Sequence, residues 1–123
     1  MDYLTFRKVK IGGHHLVPGS QPYFIADIAA NHDGDLNRAK DLIYLAAEAG
    51  AHAAKFQHFK ASTIVSDFAF KKLSSNNSHQ SSWNKSVYEV YDDASVSWEW
   101  TQELQQACSE SGITFFTTPY SLE

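Results

Sequence analysis

The sequence predicts a parallel α/β protein of the β/α-barrel kind. Short, nearly continuous apolar runs alternate with segments of helical periodicity in the order strand, helix, strand, long loop, helix, strand, the pattern of parallel sheets with right-handed crossovers. No strand is followed by a Gly-rich phosphate fingerprint, which counts against the open, doubly wound alternative. Polar and charged residues also stand at the C-terminal ends of the strands, where barrels keep their active sites.

The elements follow in order. Tyr3 to Val17 alternates apolar and polar residues around Gly12-Gly13, which suits a hairpin whose turn needs positive φ, and Pro18-Gly19 ends it. Tyr23 to Ile28 is apolar enough for a strand covered on both faces. After the turn-forming Asn31-His32-Asp33-Gly34, Asp35 is placed to cap a helix in which Leu36, Ala39, Leu42, Ile43, Ala46 and Ala47 recur at helical spacing, with Gly50 as its left-handed stop. Ala53 to Gln57 is the second strand. Lys71 to Ser86, rich in Ser, Asn, Lys and Gln, reads as a long exposed loop, and Ser74 to Ser86 as a lid over the catalytic face. Val87 to Tyr91 suits one or two helical turns. Ser97 is placed to cap a helix through Trp98, Trp100, Leu104, Ala107 and Cys108, Gly112 stops it, and Ile113 to Thr117 is the third strand.

Residues 1–22 are therefore expected to form an N-terminal hairpin arm. Residues 23–123 are expected to supply the first three strands and two helices, about three β/α units, of a TIM (β/α)8 barrel. Such a barrel takes about 250 residues, so the 123 present are read as an incomplete N-terminal portion.

A formal charge of −4 without a basic run leaves no electrostatic footprint for nucleic acid. No run approaches the roughly 18 apolar residues needed to cross a bilayer, and Met1 to Lys10 lacks the apolar core of a secretion signal, so a cytoplasmic setting is expected. The lone Cys108 excludes an internal disulfide and reads as a small apolar filler.

Lys55 and Gln57 are two apart on a strand and so face the same side at its carboxyl end. There an ammonium and an amide make a cradle for a phosphate or carboxylate; the plainer alternative is a surface lysine. Asp27, inside an apolar run, needs a partner, and Lys55 on the neighbouring strand is the obvious one. That pair is open to two readings, a structural ion pair or an acid/base element beside a bound anion. Asn31 and His32 lie in the first strand-to-helix loop; His32 either bonds a substrate oxygen or ties backbone at the start of the helix. Thr117 and Thr118 close the third strand, where hydroxyls and free amides face a ligand. His14, His15, His52, His58 and His79 show no metal-ligand spacing, and no metal ligand is assigned in this chain. Trp83, Trp98 and Trp100, without interleaved basic residues, read as core and lid packing.

Four blocks taken together are more specific than any one of them: Phe24 to Gly34 (FIADIAANHDG), Ala46 to Gln57 (AAEAGAHAAKFQ), Ser86 to Tyr91 (SVYEVY) and Gly112 to Tyr120 (GITFFTTPY). In this order and spacing the chain, from about Tyr23 onward, resembles the N-acetylneuraminate (sialic acid) synthase family with its pseudaminic and legionaminic acid relatives. The resemblance implies a β/α barrel that condenses phosphoenolpyruvate with an N-acetylmannosamine-like aldose, forming a carbon–carbon bond and releasing phosphate. It also implies a divalent metal, manganese or magnesium, with ligands outside this chain, and a homodimer when the enzyme is complete. Lys55 and Thr118 fall on positions that hold phosphoenolpyruvate, with Gln57 beside them, while Asn31 and His32 fall in the family's first-loop motif. Asp27 falls where the best-known members carry a glutamate near the reacting sugar, and Ala29 replaces a usual glycine. The shorter carboxylate puts the acceptor sugar, more than the reaction type, in question.

Two other readings stand beside this one. A different phosphoenolpyruvate-dependent keto-sugar acid synthase would share a Lys-based anion site but not the Asn31-His32-Asp33-Gly34 block. A non-catalytic module would need a complementary chain to complete its barrel, and the portion read here is expected to be inactive alone.

Overall fold

The computed structural model describes residues 8–72 and 84–122 of the chain. Three parallel strands, β3 (Ile25–Ala29), β4 (Ala53–His58) and β5 (Thr114–Pro119), lie side by side in sequence order. Crossovers of one hand stepping in one direction put their helices on one face. Accordingly α1 (Leu36–Glu48) and α5 (Thr101–Glu110) pack together there, joined at the surface by the Lys40–Glu103 ion pair. The register sets Asp27 beside Lys55, Lys55 beside Phe116, and Gln57 beside Thr118.

The core lies between that face and the helices. Ile28, Ala54 and Phe56 from the sheet meet Ala39 and Ile43 of α1, and Leu104, Ala107 and Cys108 of α5. Phe56 is completely buried and stacks on Phe115 at 5.9 Å. Burial also pushes the Cys108 thiol up to about 11, which keeps it protonated and inert. Asp35 caps α1 as expected, its carboxylate accepting from the N–H groups of Asn37 and Arg38.

A hairpin of β1 (Val9–Ile11) and β2 (His14–Leu16) precedes the sheet. Its turn residue Gly12 has φ +56°, and a Cβ there would stand 2.7 Å from the Thr114 hydroxyl oxygen, so only glycine fits. His14 packs its ring on Tyr23 and His52, at centroid distances of 5.2 and 4.8 Å, which fixes the hairpin against the N-terminal end of the sheet.

Between β4 and α5 the chain departs from the sequence expectation. Two short helices, α2 (Ala61–Ile64) and α3 (Asp67–Lys72), follow β4, so Lys71 and Lys72 belong to a helix rather than to a loop. Most of the expected lid, and with it Trp83 and His79, falls outside the described residues. The helical turns expected from Val87 are present as α4 (Val87–Ala94), and Ser86 before it makes a full capping box with Glu89. The cap expected of Ser97 is replaced by a 3-10 turn, Trp98–Trp100, that leads into α5 without a side-chain cap bond.

Candidate functional site

Alternation along each strand sorts the polar residues by face. Ala54, Phe56 and His58 look toward the helices, while Lys55 and Gln57 look to the opposite, uncovered side. The Lys55 ammonium lies 3.2 and 3.4 Å from the two Asp27 carboxylate oxygens. The pair stands in solvent, with the aspartate side chain 57% exposed and the lysine 28%. Asp27 therefore escapes the desolvation cost that its apolar neighbours suggested, and an exposed pair of this kind stabilises the fold by only about 0–1 kcal/mol. Thr118 shares the face beside Gln57. Four of the six expected site residues, Asp27, Lys55, Gln57 and Thr118, thus form one polar patch toward the C-terminal ends of the strands.

The remaining two sit in the β3–α1 loop, and their side chains brace it. Asn31 donates from its side-chain amide to the Ile28 carbonyl at 2.9 Å, and its own carbonyl accepts from the Arg38 guanidinium at 2.7 Å. It remains exposed. His32 is wholly buried: its Nδ1 accepts the Gly34 N–H at 3.1 Å, and its ring lies edge to face with Trp100. That bond assigns the neutral tautomer with the proton on Nε2. Burial holds its pKa below the ordinary value of 6.5, against the raising effect of nearby Asp33. In this conformation His32 ties backbone at the start of α1 and is not brought to the polar patch.

Sequence reasoning passed over two features. His58 bridges the hydroxyls of Thr117 and Thr101, at 2.6 and 3.0 Å, and so links β5 to the start of α5; burial lowers its pKa as well. An aromatic group also forms just past the strand ends, where Phe59 meets Tyr91 at 5.8 Å and Tyr120 at 5.7 Å. The signal was present in the sequence, since Phe59 and Tyr120 each directly follow a strand.

Among the described residues, then, a sequence-ordered parallel sheet has helices on one face, and its other face carries a lysine, a carboxylate and two neutral hydrogen-bonding groups, an arrangement shared by parallel α/β proteins. The chain belongs to the NeuB family, whose model matches residues 42–123. It is 35% identical to N,N'-diacetyllegionaminic acid synthase of Legionella pneumophila over 89% of its own length, and 40% identical to human N-acetylneuraminate-9-phosphate synthase over 82%. It spans about a third of these relatives, 32% and 27% of their lengths. Among solved structures it is similar to the N-acetylneuraminic acid synthetase of Leptospira borgpetersenii, with a TM-score of 0.71 and 25% identity, covering 94% of this chain and 35% of that one. The fold is thus consistent with part of a TIM-barrel α/β domain.

Among the described residues no three His, Cys, Asp or Glu side chains converge to hold a metal ion. Nor is any helix among them long and apolar enough to cross a membrane.

Proposed function

We propose that these residues form the phosphoenolpyruvate-holding part of a synthase that joins phosphoenolpyruvate to an N-acetylmannosamine-like aldose, consuming water and giving a nonulosonic, sialic-type acid and phosphate. The observation that carries this reading is the Lys55–Asp27 pair, held in the open on the unpaired face of a NeuB-family sheet with Gln57 and Thr118 on the same side. An exposed pair adds little to stability, which favours a ligand-directed role over a structural one.

In this reading Lys55 supplies the positive charge for the phosphate or carboxylate of phosphoenolpyruvate, and Gln57 and Thr118 supply directed hydrogen bonds. Asp27 stands beside the aldehyde end of the acceptor, where a carboxylate accepts a hydrogen bond or a proton as the new bond forms between C3 of the enolpyruvate and the aldehyde carbon. Asn31 shapes the loop at the same end of the sheet. A divalent metal, manganese or magnesium, would polarise the aldehyde in such an enzyme. The described residues do not form a site for it, so its ligands would come from elsewhere in the intact protein. The same reading includes an eight-unit barrel beginning near residue 23 after a hairpin arm, a homodimeric enzyme and a cytoplasmic setting.

The test is to incubate the intact protein that contains this chain with phosphoenolpyruvate, an N-acetylaminohexose and manganese, following phosphate release and the mass of the sugar product. Phosphate released only when the aldose is present, matched by a product of the summed carbon skeletons, is the expected result. Phosphate release independent of the sugar, or none with any aldose, would remove the synthase reading.

A further inference from the structure

His58 is the last residue of β4, one step beyond Gln57, and its ring turns away from the polar patch to reach the start of α5. It is nonetheless joined to the patch through the backbone of β5. Its Nδ1 lies 2.6 Å from the Thr117 hydroxyl, and its main-chain carbonyl accepts the Tyr120 N–H at 3.0 Å. Thr118, which pairs with Gln57 in register, therefore stands between two anchors to one residue. Pro119 follows it, and a residue before proline is restricted to extended backbone. With its backbone narrowed in this way and both flanks tied to His58, Thr118 has its direction set, since alternation carries its hydroxyl to the face opposite Thr117.

The rest of the ring is seated independently. Nε2 lies 3.0 Å from the hydroxyl of Thr101, the first residue of α5, and the ring meets Phe115 edge to face at 6.4 Å. Burial holds the imidazole below its ordinary pKa, so at neutral pH one nitrogen donates and the other accepts, and the two threonines take complementary roles. An apolar side chain could fill the same space. What the imidazole adds is a directed bond to the residue that precedes Thr118.

We propose that His58 is a positioning residue: through Thr117 it fixes the backbone that presents Thr118, beside Gln57 and Lys55, to the anionic substrate. It does not touch the substrate itself. The proposal rests on the phosphoenolpyruvate-holding reading for its ligand, so its test has an arm that needs no turnover.

The two bonds of the ring supply a control within one molecule. Thr117→Val and Thr101→Val each remove one hydroxyl from the same imidazole and keep the side-chain shape, but only the first frees the chain next to Thr118. In the intact protein Thr117→Val should raise the KM for phosphoenolpyruvate about 10-fold with that for the aldose little changed, and Thr117→Ser should restore it to within about 2-fold. Thr101→Val should lower the urea midpoint and leave the phosphoenolpyruvate KM within about 3-fold of wild type. In a Thr118→Ala background Thr117→Val should add less than about 2-fold, because the residue it acts through is gone. Thr117→Ala replaces the valine form should that form not fold. In the second arm, phosphoenolpyruvate is titrated calorimetrically into the same proteins without aldose, and the dissociation constants should follow the same pattern. Equal weakening by Thr117→Val and Thr101→Val, or an undiminished effect of Thr117→Val in the Thr118→Ala background, would reduce His58 to a packing residue and overturn the proposal. Binding that follows the pattern without turnover on any aldose would end the synthase reading and leave the positioning role standing. Turnover with a phosphoenolpyruvate KM indifferent to both Thr117→Val and Thr117→Ala would do the reverse.

Discussion

Ala29 ends β3 with φ +50°, next to an irregularity in the register between Asp27 and Ala29. An L-residue with a Cβ is strained there by roughly 1–2 kcal/mol, and a β-branched one by more. The backbone shape at the strand end is therefore kept without the glycine that the resemblance implies at this position. Ala29→Gly should be neutral or stabilising by about 1 kcal/mol, the relief of strain offset in part by a freer unfolded chain, whereas Ala29→Val should cost about 1–2 kcal/mol. Urea unfolding of the three proteins checks this, and a valine form as stable as the glycine form would contradict it. At this scale the sequence was most informative where period-two alternation applies. It put Lys55 and Gln57 on one face and chose Asp27 as the partner of Lys55, as the geometry has them. His32 was less legible, because a histidine in a loop carries no periodicity to say whether it turns out to ligand or in to backbone.

Among the elements, the strands and the longer helices announced themselves through apolar period and caps. The helices α2 and α3 did not, being only 4 and 6 residues long and too short to show a helical repeat. Links between elements were equally hidden, since partners 59 and 43 residues apart, such as Thr117 and Thr101 for His58, leave no local signal. Those links have a pH consequence. His32, at the start of α1, and His58, between β5 and α5, both have pKa values held below 6.5 by burial, so the folded state binds fewer protons than the unfolded. Their contribution to stability is complete above pH 6.5 and is lost as the pH falls through that value toward the depressed folded ones. The urea midpoint of the intact protein should therefore drop between about pH 7.5 and about pH 5.5, and drop less in His58→Gln. A midpoint that rises on acidification, or a variant with the same slope as wild type, would contradict this.

Taken as a whole, the described residues present a sheet with helices packed on one side. Among the described residues β3 and β5 each pair on one side, leaving two open edges. The uncovered face and edges also carry exposed apolar residues, including Phe24 and Ile25. Residues 1–123 prepared alone should accordingly self-associate, and a monomer in sedimentation with a single cooperative melt would argue against it. The open face is also where the proposed chemistry lies, so the central claim is that Lys55 and Asp27 act on different substrates rather than on each other. The measurement that tests it most directly is titration of both substrates in the intact protein, its Lys55→Met form and its Asp27→Asn form. Loss of the lysine charge, in a class of contacts contributing roughly 1.5–3 kcal/mol, should raise the KM for phosphoenolpyruvate by about 10-fold or more. Loss of the carboxylate should lower kcat by about 10²-fold with phosphoenolpyruvate binding little changed. Equal and modest effects on both substrates from both substitutions would mean that the pair is only a surface ion pair.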